Sequence, residues 1–220
     1  MSRDPSFWTV PCEWPGEVVY IIAGGPSVLG QDLERLRGQR VIVINSSVHA
    51  VPWADVHFFG DYRWWNEVPD NRAAVANFKG IVVTTTKLVT TTKLKTDPKI
   101  KVCKKTHPPG LAVERDSLMQ RWTSLSAATN LAAHLVGRGG AIIWLGADGK
   151  ITPDRTHHHK PHPWPHKPDA YEKQYRDLIT IVPSLWQMGV AAFNASPGTA
   201  WVNLLPLIKL EDVLDGRIAA

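Results

Sequence analysis

Two stretches of this 220-residue chain carry residue types that could do chemistry. The first is Gly24-Gly25-Pro26-Ser27, directly after an apolar run at 18–22. Two glycines let the backbone turn sharply and approach a ligand without an intervening Cβ. Ser27 adds a hydroxyl and, with Val28, amide N–H groups near a helix start, an arrangement that attracts phosphate. GGPS is neither the dinucleotide fingerprint nor the lysine-bearing phosphate loop, so a ligand-free strand-to-helix turn reads equally well. The second stretch, THHHKPHPWPHKP, sets five histidines among prolines. An imidazole near its pKa can take a proton from an acceptor hydroxyl, for about 10²–10⁴-fold in rate, which makes His157, His158, His159 and His162 candidate general bases on a lid. Imidazoles also ligate metals, but consecutive histidines do not turn easily toward one ion, and no metal site is assigned. A polar surface loop is the third reading.

These residues need elements to position them. Val18, Val19, Tyr20, Ile21 and Ile22 form an unbroken β-branched and aromatic run, as expected of a parallel strand buried on both faces. The spacing of Leu29, Leu33 and Leu36 predicts an amphipathic helix over 28–36, stopped at Gly38, with the next strand at 41–44. Further strands are expected at 56–59, 81–86, 141–145 and 190–193. Helices are expected over 72–78, from a Ser124 or Ser126 cap to about 136, and as one long helix from Asp169 to about 188. The pattern predicts one α/β, Rossmann-like domain over 1–220, with a mostly parallel sheet and helices on both faces. A lysine-rich β-ribbon insertion is expected over 87–106 and a His/Pro-rich lid loop over 149–168.

In such sheets the ligand crevice lies outside the carboxyl ends of the strands. Those ends carry GGPS, Asn45-Ser46, Gly60-Asp61, Gly146-Ala147-Asp148 and Asn194-Ala195-Ser196. Small polar groups at five strand ends point to a nucleotide-sized pocket involving Asn45, Ser46, Asp61, Gly146, Asp148, Asn194 and Ser196. Asp148 is a catalytic candidate, although a turn or cap residue there would look the same.

Hydrophobic residues make up 44% of the chain and charged residues 20%, ordinary values for a globular protein, and no apolar run approaches a membrane span. The start of the chain has no apolar export segment, so a cytoplasmic location is expected. Cys12 and Cys103 imply no disulfide framework. The net charge of +5 permits a polyanionic partner such as DNA. Seven lysines between 87 and 105 concentrate that charge, and an edge strand guarded by lysines reads better there than a nucleic-acid surface. The oligomeric state is left open.

The succession IIAGGPSV, VIVINSSVHAVPWADVHFFGD, SLSAATNLAAHL, IIWLGAD, the histidine-rich loop and FNASPGTAW resembles phage and prophage proteins with a 6-hydroxymethylpterin diphosphokinase-like domain. That domain is related in fold to bacterial CMP-sialic-acid-dependent sialyltransferases. The resemblance implies Gly24, Gly25, Pro26 and Ser27 beside the nucleotide phosphate and Asn45 near the nucleotide. It implies Ser126 and Asn130 on a helix lining the cleft, Asp148 near the nucleoside, and a histidine base assisted by tyrosines such as Tyr171. Where those enzymes present G-N-G-P-S, this chain has A-G-G-P-S. The expected function is a nucleotide-dependent, glycosyltransferase-like transferase using a CMP- or UDP-type donor. One alternative is diphosphate transfer from a nucleoside triphosphate with Mg²⁺ held by Asp61 and Asp148. The other is a non-catalytic phage accessory or virion-associated protein that retains the fold.

Overall fold

The computed structural model describes residues 6–86, 99–151, 155–160, 167 and 169–217. Seven strands form one sheet: β1 (Val18–Ile22), β2 (Arg40–Ile44), β3 (Val56–Phe59), β4 (Ile81–Thr84), β5 (Ile100–Val102), β8 (Ala141–Leu145) and β9 (Ala191–Asn194). Their order is β5-β4-β3-β2-β1-β8-β9. Every pairing is parallel. Two short strands, β6 (Lys104–Thr106) and β7 (Ser117–Met119), pair in a separate parallel sheet.

Successive side chains on a strand point to opposite faces, so the apolar runs sort themselves into two cores. Val19 and Ile21 of β1 join Ile42, Phe58 and Trp144 under α3 (Ser124–Val136), α4 (Ala170–Leu178) and α5 (Ile181–Met188). Tyr20 and Ile22 join Val43, Phe59 and Leu145 on the other face. There Trp64 of α1 (Tyr62–Glu67), Val75 of α2 (Pro69–Asn77) and Leu210 of α6 (Leu210–Leu214) cover them. The chain runs outward from β1 to β5, then returns to β8 on the far side of β1. The strand order therefore reverses between β1 and β8, and the carboxyl ends of these two strands form the topological switch point.

Three local expectations change. Residues 28–36 form two 3₁₀ turns, Pro26–Gly30 and Leu33–Leu36, rather than an α-helix. The segment is too short to be helical on its own. Gln31 is extended, and its side-chain Nε2 donates to the Ala195 carbonyl at 2.6 Å, which draws the chain toward β9. The long helix from 169 is broken into α4 and α5 around Thr180. Pro183 cannot donate to the Ile179 carbonyl and its ring crowds that oxygen, but it is tolerated in the first turn of a new helix. The cap of α3 is Thr123, whose hydroxyl accepts from the Leu125 amide, rather than Ser124 or Ser126. The described part of the lysine-rich ribbon, 99–106, supplies β5 at the sheet edge and then β6. Residues 87–98 lie outside the described residues.

Candidate ligand cleft

A cleft of about 1040 Å³ opens along the carboxyl edge of the sheet. One end lies at the switch point. Ala23 of the glycine turn bonds to Leu145 (2.8 Å), and the Gly25 amide donates to the Gly146 carbonyl (2.9 Å), which ties the turn after β1 to the turn after β8. The Ser27 amide donates to Asp148 Oδ2 at 2.9 Å, and the Ser27 hydroxyl donates to Asp148 Oδ1. An internal carboxylate thus holds the two donors expected to meet phosphate. A Cβ on Gly25 would come within 2.5 Å of both Asp148 Cγ and the Gly146 carbonyl, so glycine here serves close packing of the two turns.

The histidine loop returns over this turn. The His158 amide donates to the Gly24 carbonyl (3.0 Å), and its ring, 9% exposed, meets Ser47 Oγ at 2.9 Å. Ser47 also donates to the Ala23 carbonyl at 3.1 Å. Burial pushes the His158 pKa down to about 4, so the ring is neutral and serves as an anchor. Its two neighbours face the cleft, with ring centroids 4.7 Å apart in a stack. A Cβ on Gly24 would meet His157 Cδ2 at 3.0 Å and His159 Nε2 at 3.3 Å, so both imidazoles lie directly against the glycine turn. His159 Nδ1 lies 2.9 Å from the Lys160 carbonyl and must donate to it, which leaves the lone pair of the neutral ring on Nε2. Burial also lowers the His159 pKa. His162 lies outside the described residues.

Further polar residues hold these walls without lining them. Asn194, Ser196 and Thr199 bind the turn after β8: Ser196 Oγ accepts from the Ala147 amide (2.7 Å), Thr199 Oγ1 donates to the Ala147 carbonyl (2.7 Å), and Asn194 Oδ1 accepts from the Ser196 amide (3.0 Å). Ser46 accepts from Trp64 Nε1 at 2.8 Å. Ser126 and Asn130, implied by resemblance to face the cleft, are both 0% exposed. Ser126 donates to Asp177, while Asn130 Oδ1 accepts from the Ala112 and Met119 amides. Of the sequence-derived candidates, the cleft brings together Gly24, Gly25, Asn45, Asp61, Gly146, Asp148, His157 and His159; Pro26, Ser27, Ser46 and His158 stand behind it. Tyr171 joins them from α4, its ring edge-on to Trp201 and its pKa raised by burial and by the Asp148 charge.

One contributor, His57, escaped the sequence reading; it lies beneath Asn45. Asn45 adopts φ +49°, a left-handed conformation rare for a residue other than glycine, and its buried Oδ1 has no partner among the described residues. Beneath it, His57 Nε2 donates to the Asn45 carbonyl at 3.0 Å from a cage of Phe59, Trp64 and Phe78. Burial takes the His57 pKa down to about 3, so this ring stays neutral. Asp61 caps α1 and pairs with Arg63 at 3.0 Å. The lining carries the cations Arg63, Lys105, Arg121, Lys150, Lys167 and Lys173 against three carboxylates, Asp61, Asp148 and Asp169, so the cleft favours anions. No group of three or more metal-ligating side chains occurs among the described residues, and none of their helices is long and apolar enough to cross a membrane.

No protein-family model and no curated protein matches the chain. Among solved structures, the chain is similar to the MAf glycosyltransferase from Magnetospirillum magneticum AMB-1, with a TM-score of 0.58 at 11% identity. The match covers 96% of this chain and 37% of that one, so this chain spans little more than a third of that enzyme's length. A dehydrogenase/reductase from Sinorhizobium meliloti 1021 matches at 14% identity with a TM-score of 0.31, over 96% of this chain and 83% of the other. The protein thus has a mostly parallel, Rossmann-like α/β fold that is similar to part of a glycosyltransferase.

Proposed function

We propose that the chain is a nucleotide-dependent transferase of the glycosyltransferase kind, with its nucleotide-linked donor bound at the switch point between β1 and β8. The observation that carries this reading is the stacked pair His157 and His159 against Gly24, at the edge where parallel α/β sheets bind nucleotides. The fold similarity to a glycosyltransferase supports the reaction class. In this reading His159 Nε2 takes the proton of an acceptor hydroxyl. The acceptor oxygen bonds to the donor's anomeric carbon as the bond from that carbon to the phosphate oxygen breaks, and the nucleotide leaves with the bonding pair. Tyr171 carries its phenolic proton at neutral pH, as any tyrosine does, and burial and the Asp148 charge raise its pKa further, so it can donate a hydrogen bond to the departing phosphate. Lys150, which follows the turn after β8 in the cleft lining, meets the nucleotide's charge in place of the Ser27 donors, which Asp148 occupies.

The test is a thermal-shift panel with CMP, UDP and ATP, each with and without Mg²⁺. Stabilisation by CMP or UDP without metal is expected. A response to ATP that needs Mg²⁺ would instead favour diphosphate transfer, and identical melting curves throughout would favour a protein that kept the fold without catalysis.

A further inference from the structure

The proposed transfer uses one end of the cleft and leaves the other unexplained. Beyond the carboxyl ends of β3 and β4, with β2 lying between them and the switch point, the lining includes Thr86, Lys105 and Arg121. Lys105 lies on β6 and is partly buried. Among the described residues its ammonium has no hydrogen bond and no ion pair. The two carboxylates whose charge reaches it are committed elsewhere. Asp61 pairs with Arg63, and Asp177 accepts from Ser126 Oγ at 3.1 Å and the Trp122 amide at 3.3 Å. A cation partly withdrawn from water without a counter-ion is destabilising unless a ligand supplies one.

Two further observations point the same way. Thr86 is only 8% exposed, yet its Oγ1 has no partner among the described residues. Such a buried unpaired hydroxyl costs the desolvation of a polar group. Arg121 is oriented in advance: Nε (3.1 Å) and Nη2 (2.5 Å) both donate to the His107 carbonyl. A guanidinium has five N–H donors, so these two bonds fix its plane and leave others to offer.

We infer that Thr86, Lys105 and Arg121 form a second subsite, separate from the switch point, which takes the carboxylate or phosphate of an acidic acceptor. The word acceptor rests on the transferase reading; the oxyanion subsite rests on the unpaired groups. In solution, an oxyanion here would supply the counter-ion that Lys105 lacks among the described residues and accept a hydrogen bond from the Thr86 hydroxyl.

Calorimetric titration of the full chain with inorganic phosphate and with glucuronate, first alone and then with the protein saturated with whichever of CMP and UDP stabilises it, tests this. At least one anion should bind the nucleotide-saturated protein. Phosphate alone or glucuronate alone would identify the preferred group. Lys105→Met should weaken that binding about tenfold or more while leaving nucleotide affinity unchanged, and Lys105→Arg should restore it. Arg121→Gln, at an exposed side chain, should weaken it without depending on the fate of a half-buried site. The inference is overturned if neither anion binds, if neither variant changes the affinity, or if nucleotide and anion binding are lost together, since Lys105 would then serve the donor phosphate. Anion binding that depends on Lys105 in a protein with no nucleotide response would leave the subsite standing and remove the transferase reading.

Discussion

The two ends of the cleft are built on opposite terms. At the switch point the polar groups satisfy one another: Ser27 with Asp148, Gly25 with Gly146, and His158 with Ser47 and the Gly24 carbonyl. At the β3–β4 end, Lys105 and Thr86 are left without partners among the described residues, and nearby Asn45 Oδ1 is buried and unpaired. A closed network gives rigidity, so the first end presents His157 and His159 on a fixed frame. Unpaired buried groups cost stability, and a protein retains them where a ligand completes them. The closed end is therefore where geometry should matter most, and the open end is where stability and binding should trade against each other.

The largest expected effect tests the closed end through pH. His57, His134 and His158 have pKa values lowered by burial to about 3, 4 and 4, against 6.5 when unfolded. Their folded values are depressed, so below pH 6.5 the unfolded chain binds protons that the fold refuses. The stability they confer is present above 6.5 and is lost as pH falls toward 4. Each group should contribute roughly 1.4 kcal/mol per pH unit, and the three together on the order of 4 kcal/mol per unit. Urea midpoints measured from pH 7 to 4.5 should fall steeply, and His158→Gln should reduce that slope by about a third. An unchanged slope would mean that His158 titrates freely and does not anchor the loop.

Next in size is the reaction itself. His159→Ala should lower turnover about 10²–10⁴-fold with donor affinity nearly unchanged, because the proton transfer occurs only in the transition state. Equal losses in both would make His159 a binding group and blur the division between the two ends.

Asp148→Ala should cost about 1–3 kcal/mol in chemical denaturation, since it leaves the Ser27 amide and hydroxyl unpaired. A neutral result would show that water or a ligand readily replaces the carboxylate, opening the end described here as closed. The smallest effect is expected at the opposite end. Thr86→Val removes a hydroxyl that has no partner among the described residues, so stability should stay within about 1 kcal/mol of the parent or rise, while phosphate or glucuronate affinity falls. A clear loss of stability would mean that the hydroxyl is already satisfied within the fold.

The continuous apolar runs of β1, β2, β3 and β8 identified the central strands, because a strand buried on both faces has no polar alternation to disguise it. The same runs located the carboxyl edge, and with it Gly24, Asn45, Asp61, Gly146 and Asp148. Short-range chemistry also marked the end of α3 at Gly137. Long-range pairing decided the rest. The Ser27 donors look the same in sequence whether they face phosphate or Asp148, and the two residues stand 121 positions apart. Residues 28–36 have helical spacing, but Gln31 bonds to Ala195, 164 positions away, and the segment settles into 3₁₀ turns. Consecutive histidines carry no sign of which one anchors and which ones face a ligand; the bond from the His158 amide to Gly24 decides that. Lys105 reads as one lysine in a basic run, and its isolation emerges only when Asp61 and Asp177 are seen to be engaged by other groups. Periodicity reports which side of an element is buried, whereas the pairing of a particular donor with a particular acceptor depends on distances that only the folded chain sets.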